Sequence, residues 1–573
     1  MTVTNTNRMK NKLIFLLLLA AITLLSPSVS GQNTRMTAAE IKRMHHETPD
    51  DPYLPNADNN QRTSPAYHYK SRVKSSPNRS SIVTVQVNVD ALGRNILGDA
   101  ANEPSIAVNP LDPHKIAIGW RQFDNVASNF RQAGWAYSTN GGETWTFPGV
   151  IEPGVFRSDP ILDYDAEGNF YYNSLTITPD YFCKVFESSN SGAAWNSGTD
   201  AHGGDKQWMV VDRSMATGRG NVYSFWSYFY STCAPGFFTR STPGENYENC
   251  ILVDGYPYWG TMAVGNSGEL YIGGACGLAD SLVVAKSVNA RGGSPISWNK
   301  PVKVYFDGSP TGWKGVNPGG LLGQVSIDVD RSNGPGRGNV YLLAPVTRSS
   351  NADPCDIMFA RSLDGGLTWS APVCVNDDLS VTHYQWFGTM SVAPNGRIDA
   401  IWLDTRDAPF GSDSSALYYS YSTDQGVTWS VNEKMSVSFD PHVGYPDQNK
   451  LGDYFDMVSD NSGAHVAWAN TLNGEQDVYY SHIIPFGSTD INDISLNNRI
   501  VTFPNPVTGT LVIKGLTIDS RIDIYSVLGV KLHSFTNIYT ALEIDMTFQP
   551  AGIYFLKIVD QHGGTVIRKI MKD

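Results

Sequence analysis

Short runs of alternating apolar and polar residues, broken by Gly, Asn, Asp and Pro, recur along most of this 573-residue chain. Alternation with a period of two marks half-buried strands, so the chain reads as all-β. Residues 81–89, Ser-Ile-Val-Thr-Val-Gln-Val-Asn-Val, alternate cleanly and predict one such strand. From there a unit recurs. It opens with a buried inner strand, turns at a Gly-Asn-like step into an aromatic-rich second strand, and ends in a third strand that runs into a serine. Seven inner strands are predicted, at 104–108, 160–164, 208–211, 261–264, 325–329, 389–392 and 454–458.

The serine opens a pattern, Ser-x-Asp/Asn-x-Gly-x-Thr/Ala-Trp, present at 138–145, 188–195, 362–369 and 422–429. An Asp or Asn that folds onto its own backbone, a Gly free to take positive φ and a Trp that packs back describe a rigid turn. Four such turns make a repeat, and the long interval between 188 and 362 holds about three units of ~57 residues. Degenerate copies fill it, at Arg240-Ser241-Thr242-Pro243-Gly244 and at Ser287-Val288-Asn289 with an insertion before Trp298. The last unit, ending near Tyr479-Tyr480-Ser481, lacks a fourth strand. The strand at 81–89 is expected to supply it, which removes an exposed edge.

The four boxes resemble the Asp box (BNR repeat) of sialidase-type β-propellers. The resemblance implies a β-propeller over 80–486, of seven blades or alternatively six, each unit forming one four-stranded blade. Beyond residue 486 the character changes. Phe503-Pro504-Asn505-Pro506, then Ile524-Tyr525-Ser526-Val527-Leu528-Gly529-Val530, then Ala551-Gly552-Ile553-Tyr554-Phe555-Leu556 and a basic end follow a polar linker. That order resembles the C-terminal sorting domain of the type IX secretion system, so 487–573 is expected to be a small Ig-like β-sandwich. It implies export across an outer membrane, followed by release or surface attachment, with the secretion machinery as a partner.

The first thirty residues read as a secretory signal: Arg8, Lys10 and Lys12, an apolar run from Leu13 to Leu25, and a small-x-small site at Ser28-Val29-Ser30. Residues 31–79 are polar and read as a linker or strapping segment. No later apolar run reaches about 18 residues, so no membrane span is expected. The net charge of −13 argues against nucleic acid or an anionic membrane as main partner. Six cysteines in an oxidising compartment allow fifteen pairings. Cys233–Cys250 and Cys355–Cys374 look like local staples, leaving Cys183 with Cys276. No zinc-type ligand spacing and no phosphate-binding Gly-rich loop appears, so no metal or cofactor is expected.

In propellers of the resembled type the boxes lie on the outer bottom rim and shape turns, so chemistry is expected at the central funnel. Arg121, Arg157, Arg348 and Arg406 would face one mouth there, and planar guanidinium groups suit the carboxylate of a sialic or uronic acid. The competing role is that of loop braces paired with Asp. Trp120 and Trp386 would stack on sugar rings or fill the core. Sialidases use a Tyr nucleophile with a Glu partner and an Asp acid/base. The resemblance casts Tyr384 in the first role, or else Tyr454 or Tyr258, with Glu103 and Asp159 in the others. The Arg-Ile-Pro motif of that family is absent. His383-Tyr384 beside Arg406 or Arg121 would alternatively suit a uronate polysaccharide lyase. The expectation is thus a secreted, sialidase-like glycoside hydrolase-type protein acting on or binding acidic glycans, with a non-catalytic glycan- or surface-binding propeller as the alternative.

Overall fold

The computed structural model describes residues 51–56, 63–71, 79–177, 181–243, 246–351, 353–486, 500–516, 520–537, 539–559 and 565–573; the expected signal at 1–30 and most of 31–79 lie outside these. Among the described residues every regular element is a strand.

Between residues 63 and 484 the strands form seven successive antiparallel sheets of three to five strands, besides two two-stranded pairings, Arg94–Ile96 with Thr63–Pro65 and Gly312–Lys314 with Asn317–Leu321. The first comprises Ala100–Val108, Ile116–Phe123, Gln132–Ser138 and Thr146–Ile151 in that order. The next five open with Ser158–Tyr164, Trp208–Val211, Met262–Val264, Ser326–Val329 and Gln385–Val392. The seventh orders Asp456–Ser459, Ala464–Asn470 and Asp477–Ile484, and its next strand is Ser81–Gln86 from the other end of the chain, in register Ser81↔Ile484 through Gln86↔Tyr479. His68–Lys70 adds a further strand there, so part of the polar 31–79 segment is sheet.

The opening strands lie side by side in chain order, and that of the seventh sheet lies against that of the first. Side chains stitch these seams. The Ser105 hydroxyl accepts from the Leu162 N–H (2.8 Å), Asp163 from Val211 (2.7 Å), Thr261 from Ile327 (2.9 Å), Asp328 from Val392 (2.8 Å), Ser391 from Ser459 (3.0 Å) and Asp456 from Ile106 (3.1 Å). Each bond satisfies a buried backbone donor that its own sheet leaves unpaired. The apolar core sits between neighbouring sheets: Ile118, Trp120 and Trp145 of the first meet Ala467, Val478 and Tyr480 of the seventh. Inside the ring the opening strands enclose a cavity of about 220 Å³.

The box turns join third to fourth strands. In the first, Ser138 Oγ accepts from the Gly142 N–H at 2.9 Å, Asn140 Oδ1 from the Thr144 N–H at 3.1 Å, and Trp145 Nε1 donates to Gly142 O at 3.1 Å. The box at 362 repeats these bonds with Asp364, whose carboxylate, held by Thr368, falls to about 2. The degenerate copy at 287 keeps part of the pattern, Ala290 N donating to Ser287 Oγ at 3.0 Å.

One disulfide is present among the described residues, Cys233–Cys250. The other two expected pairs do not form: Cys183, Cys355 and Cys374 are thiols, and Cys276 is not bonded to Cys183. Cys374 stands opposite Met358, three residues out of register with Cys355, while Cys183 and Cys276 belong to the second and fourth sheets' neighbourhoods, with the third between them.

At the C-terminus, Val501–Phe503, Thr510–Lys514 and Ala541–Asp545 form one sheet and Lys531–Asn537, Ser520–Ser526, Gly552–Val559 and Thr565–Lys572 another. Leu511, Ile513 and Ile544 of the first share a core with Ile522, Leu556 and Ile570 of the second.

Candidate functional site

Each opening strand has a left-handed residue at its head, within its first four residues or up to four residues before it. Glu103 (φ 49°), Asp159 (49°), Lys206 (57°), Trp259 (51°), Gly323 (127°), Phe387 (56°) and Gly452 (111°) occupy these positions in chain order. Five of the seven carry side chains that resist this conformation, which persists only where the surroundings enforce it. The ladder shifts register where it occurs, between Asn102 and Ser105 and between Trp386 and Thr389. The kink turns three of these side chains, Glu103, Asp159 and Lys206, toward one another.

They join a cluster that is almost fully buried. Lys206 Nζ lies 2.6 Å from Asp453 Oδ2, 3.5 Å from Asp159 and 3.7 Å from Asp205. Lys450 Nζ lies 2.7 Å from Asp453 and 3.5 Å from Glu103, and Arg121 Nε stands 3.1 Å from Glu103. Burial pushes Glu103 up to about 8, against the pull of Arg121 and Lys450. Burial opposes ionisation of Asp453 as well, but Lys206, Lys450 and Arg121 hold it well below the usual carboxylate range. A protonated Glu103 leaves three carboxyl groups facing three cations, which is what a dry site requires. Tyr454 packs beside them on Trp208 (5.6 Å between ring centres) and donates to Pro160 O at 2.9 Å.

A hairpin explains the burial. Gly312–Lys314 pairs with Asn317–Leu321. Its second strand is tied to the segment before the seventh sheet: Gly319 N donates to Asn449 O (2.9 Å), Asn317 Nδ2 to Gly452 O (2.9 Å) and Leu321 N to Asp453 Oδ1 (2.8 Å). Leu321 packs with Tyr258 and Trp259 at the fourth sheet, and Trp313 lies 6.4 Å from Trp259. A hairpin bonded to the fourth sheet's neighbourhood and to the seventh's crosses the mouth of the ring and roofs the charged cluster.

The structure brings Glu103, Asp159 and Arg121 together and adds Lys206, Lys450 and Asp453. The other expected site residues lie elsewhere. Arg157 pairs with Glu152, and Arg348 with Asp307 (2.6 Å) and Asp356 (2.7 Å). Arg406 is held by Asp377 (2.5 Å), Asp404 (2.8 Å) and Asp378 (3.6 Å). Tyr384 is half-buried near Cys355, Asp353 and Asp413, and its N–H donates to Thr405 Oγ1. His383 lies 3.9 Å from Asp378. Trp120 and Trp386 are fully buried and donate to Gln122 and Ser415, so they fill the core.

Around Tyr258 and Trp259 lies an aromatic group whose other members, Tyr228, Phe229, Phe237, Tyr256 and Trp313, sequence reasoning missed. Tyr228 lies 3.9 Å from Phe229 and 5.3 Å from Tyr256; Phe237 stacks on Tyr256, Phe229 meets Tyr258, and Tyr258 meets Trp259 and through it Trp313. Tyr256 and Trp313 leave 48% and 39% of their surface open to solvent. The run Trp226-Ser227-Tyr228-Phe229-Tyr230 in a second-to-third-strand loop was the available signal.

Comparison with known proteins identifies the C-terminal part of the chain. Residues 501–573 match the secretion system C-terminal sorting domain. No curated protein matches the chain. Among solved structures, a protein of unknown function from Dyadobacter fermentans is similar at 14% identity, covering 70% of this chain and 98% of its own, with a TM-score of 0.40. The phage phi92 endosialidase is similar at 10% identity, 88% and 82% coverage and a TM-score of 0.40. A Hadza microbial sialidase follows at 13% identity, 59% and 62% coverage and a TM-score of 0.32. The tail thus carries a sorting domain of the type IX secretion kind.

Proposed function

We propose that this chain is a seven-bladed Asp-box propeller, exported by the type IX route and released or held at the cell surface, that binds a glycan without cleaving it. The tail carries the export half of this reading, and 487–573 serves as its sorting module. The observation that carries the binding half is the funnel face itself. Of the four arginines best placed for a carboxylated sugar, Arg157, Arg348 and Arg406 are neutralised by the chain's own Asp or Glu and Arg121 is fully buried against Glu103, while Tyr256 and Trp313 stand open to solvent. Flat aromatic faces exposed beside buried ones hold sugar rings by stacking, and Trp and Tyr are the side chains that most often anchor such contacts. Glu103, Asp159 and Tyr454 have the residue types of a sialidase centre, but they are sealed beneath the 312–321 hairpin.

The test pairs a glycan array with hydrolysis of a fluorogenic sialyl substrate. Glycan binding that falls at least tenfold in Trp313→Ala and in Tyr256→Ala, with no fluorophore released, supports the reading. Fluorophore release by the wild type, abolished in Tyr454→Phe, would establish hydrolysis instead. Binding indifferent to both aromatic variants would move the site off this platform.

A further inference from the structure

The closing seventh sheet carries a second group of chemistry-bearing side chains, on the opposite face of the ring from the funnel. His465 and His482 are cross-strand partners whose rings stack 4.5 Å apart and within 7° of parallel. Asp460 sits in the turn leading to His465, and its two oxygens have different duties. Oδ1 closes the turn, accepting from Ser462 N (2.7 Å), Ser462 Oγ (2.6 Å) and Gly463 N (2.9 Å). Oδ2 points away, 3.2 Å from His465 Nε2. That contact is not an aligned N–H···O bond, and the buried Nε2 has no hydrogen-bond partner. One ligand atom from each of Asp460, His465 and His482 lies within 4.8 Å of the others.

We infer that Asp460, His465 and His482 form a binding site for a transition-metal ion of the Zn²⁺ class that fastens the closing sheet of the ring. Two imidazoles and one carboxylate suit Zn²⁺, and not the all-oxygen preference of Ca²⁺ or Mg²⁺. Zn–N bonds of about 2.0–2.1 Å place tetrahedral donors roughly 3.4 Å apart, so a side-chain movement of about 1 Å converges the three atoms on one ion, with water in the fourth place. The outer shell is in place. His465 Nδ1 lies 2.7 Å from the Tyr480 hydroxyl, and a ligating Nε2 requires the proton on Nδ1, which then donates to Tyr480.

The position gives the ion a task. His482 pairs with Val83 of the N-terminal strand, and Tyr480 packs on Trp145 of the first sheet (5.5 Å). An ion here would tie the last turn of the ring to the strand that closes it. Metal bound only by the folded state raises the unfolding temperature with concentration.

The experiment uses the full, untagged, oxidised chain, stripped with chelator and titrated with ZnCl₂ by calorimetry, with Co²⁺ absorption reporting geometry. One Zn²⁺ per chain, visible bands typical of four-coordinate Co²⁺, and an upward shift of melting temperature are expected. Asp460→Asn and His482→Ala should each weaken binding at least tenfold. His482→Gln preserves a polar side chain of similar size, so loss of Zn²⁺ binding with an unchanged circular dichroism spectrum separates ligation from misfolding. A folded wild type that binds no Zn²⁺, or whose affinity survives all three substitutions, overturns the assignment.

Discussion

Replacing Asp453 by Asn tests whether the buried cluster holds the ring together. The carboxylate faces two ammonium groups, Lys206 at 2.6 Å and Lys450 at 2.7 Å, and accepts the Leu321 N–H of the roofing hairpin at 2.8 Å. Breaking a buried pair by removing one partner costs about 3–5 kcal/mol, because the surviving charge cannot reach water. Two features place this case at the low end. Lys206 keeps Asp159 and Asp205 at 3.5 and 3.7 Å, and Lys450 keeps Glu103 at 3.5 Å. Asn also retains an acceptor for Leu321. The expected loss is about 3 kcal/mol, and at roughly 2 °C per kcal/mol for a large cooperative unit the melting temperature should fall by about 6 °C in scanning calorimetry. The double variant Asp453→Asn/Lys450→Met removes an orphaned ammonium too. It should melt above the single variant, since an apolar chain replaces a stranded cation. A single variant within 1 °C of wild type, or a double variant that loses the sum of two single effects, would refute the account.

Two further outcomes follow from the same geometry. Burial raises Glu103 to about 8 and Asp456 and Asp477 to about 7, so between the ordinary carboxylate range and those values the unfolded chain has released protons that the folded chain retains. Stability is therefore fully present below about pH 4 for these groups and declines as pH rises through 7–8, by up to ~1.4 kcal/mol per unit for each group inside its window. His482, lowered to about 3, acts oppositely below its ordinary value, and the carboxylates held low, Asp453 and Asp364, lose their contribution in strong acid. The melting temperature should be highest near pH 4 and fall toward pH 8, because three raised carboxyls outweigh the one lowered imidazole; a flat profile over that range would contradict the sign. In the first box, a Cβ on Gly142 would stand 2.1 Å from Tyr480 Cε1, at a backbone φ of 85°. Gly142→Ala should thus cost several times more than Asp364→Ala, which removes one exposed turn-former worth about 1 kcal/mol; equal urea midpoints for the two would refute this.

The architecture was legible because it is periodic. Alternation located the opening strands to within a few residues, and the repeated box exposed the units between them. The strand at 81–86 could be matched to the last unit because that unit was one strand short. What the sequence hid were features made by position in three dimensions. Glu103 and Asp159 were singled out from the heads of the inner strands, but nothing local shows that they would meet Lys206 and Lys450 in one buried charged cluster. Glu103, Asp159 and Lys206 converge because each occupies the same left-handed kink at the head of a different sheet. Arg348 and Arg406 could be read as ligand-binding or as loop braces, and the brace role holds: Arg406 is bonded to the nearby Asp404 and Arg348 to Asp356, while their further partners Asp377 and Asp307 lie 29 and 41 residues away. The 312–321 hairpin reads as a Gly-rich insertion, and only its bonds to Asn449, Gly452 and Asp453 turn it into a roof. His465 and His482 have no ligand-type spacing, yet antiparallel pairing stacks their rings. The residues that govern the chemistry of this ring are thus the ones its closure brings together. An estimate of function from residue types at the funnel mouth assigns to substrate the very arginines that the fold has already neutralised.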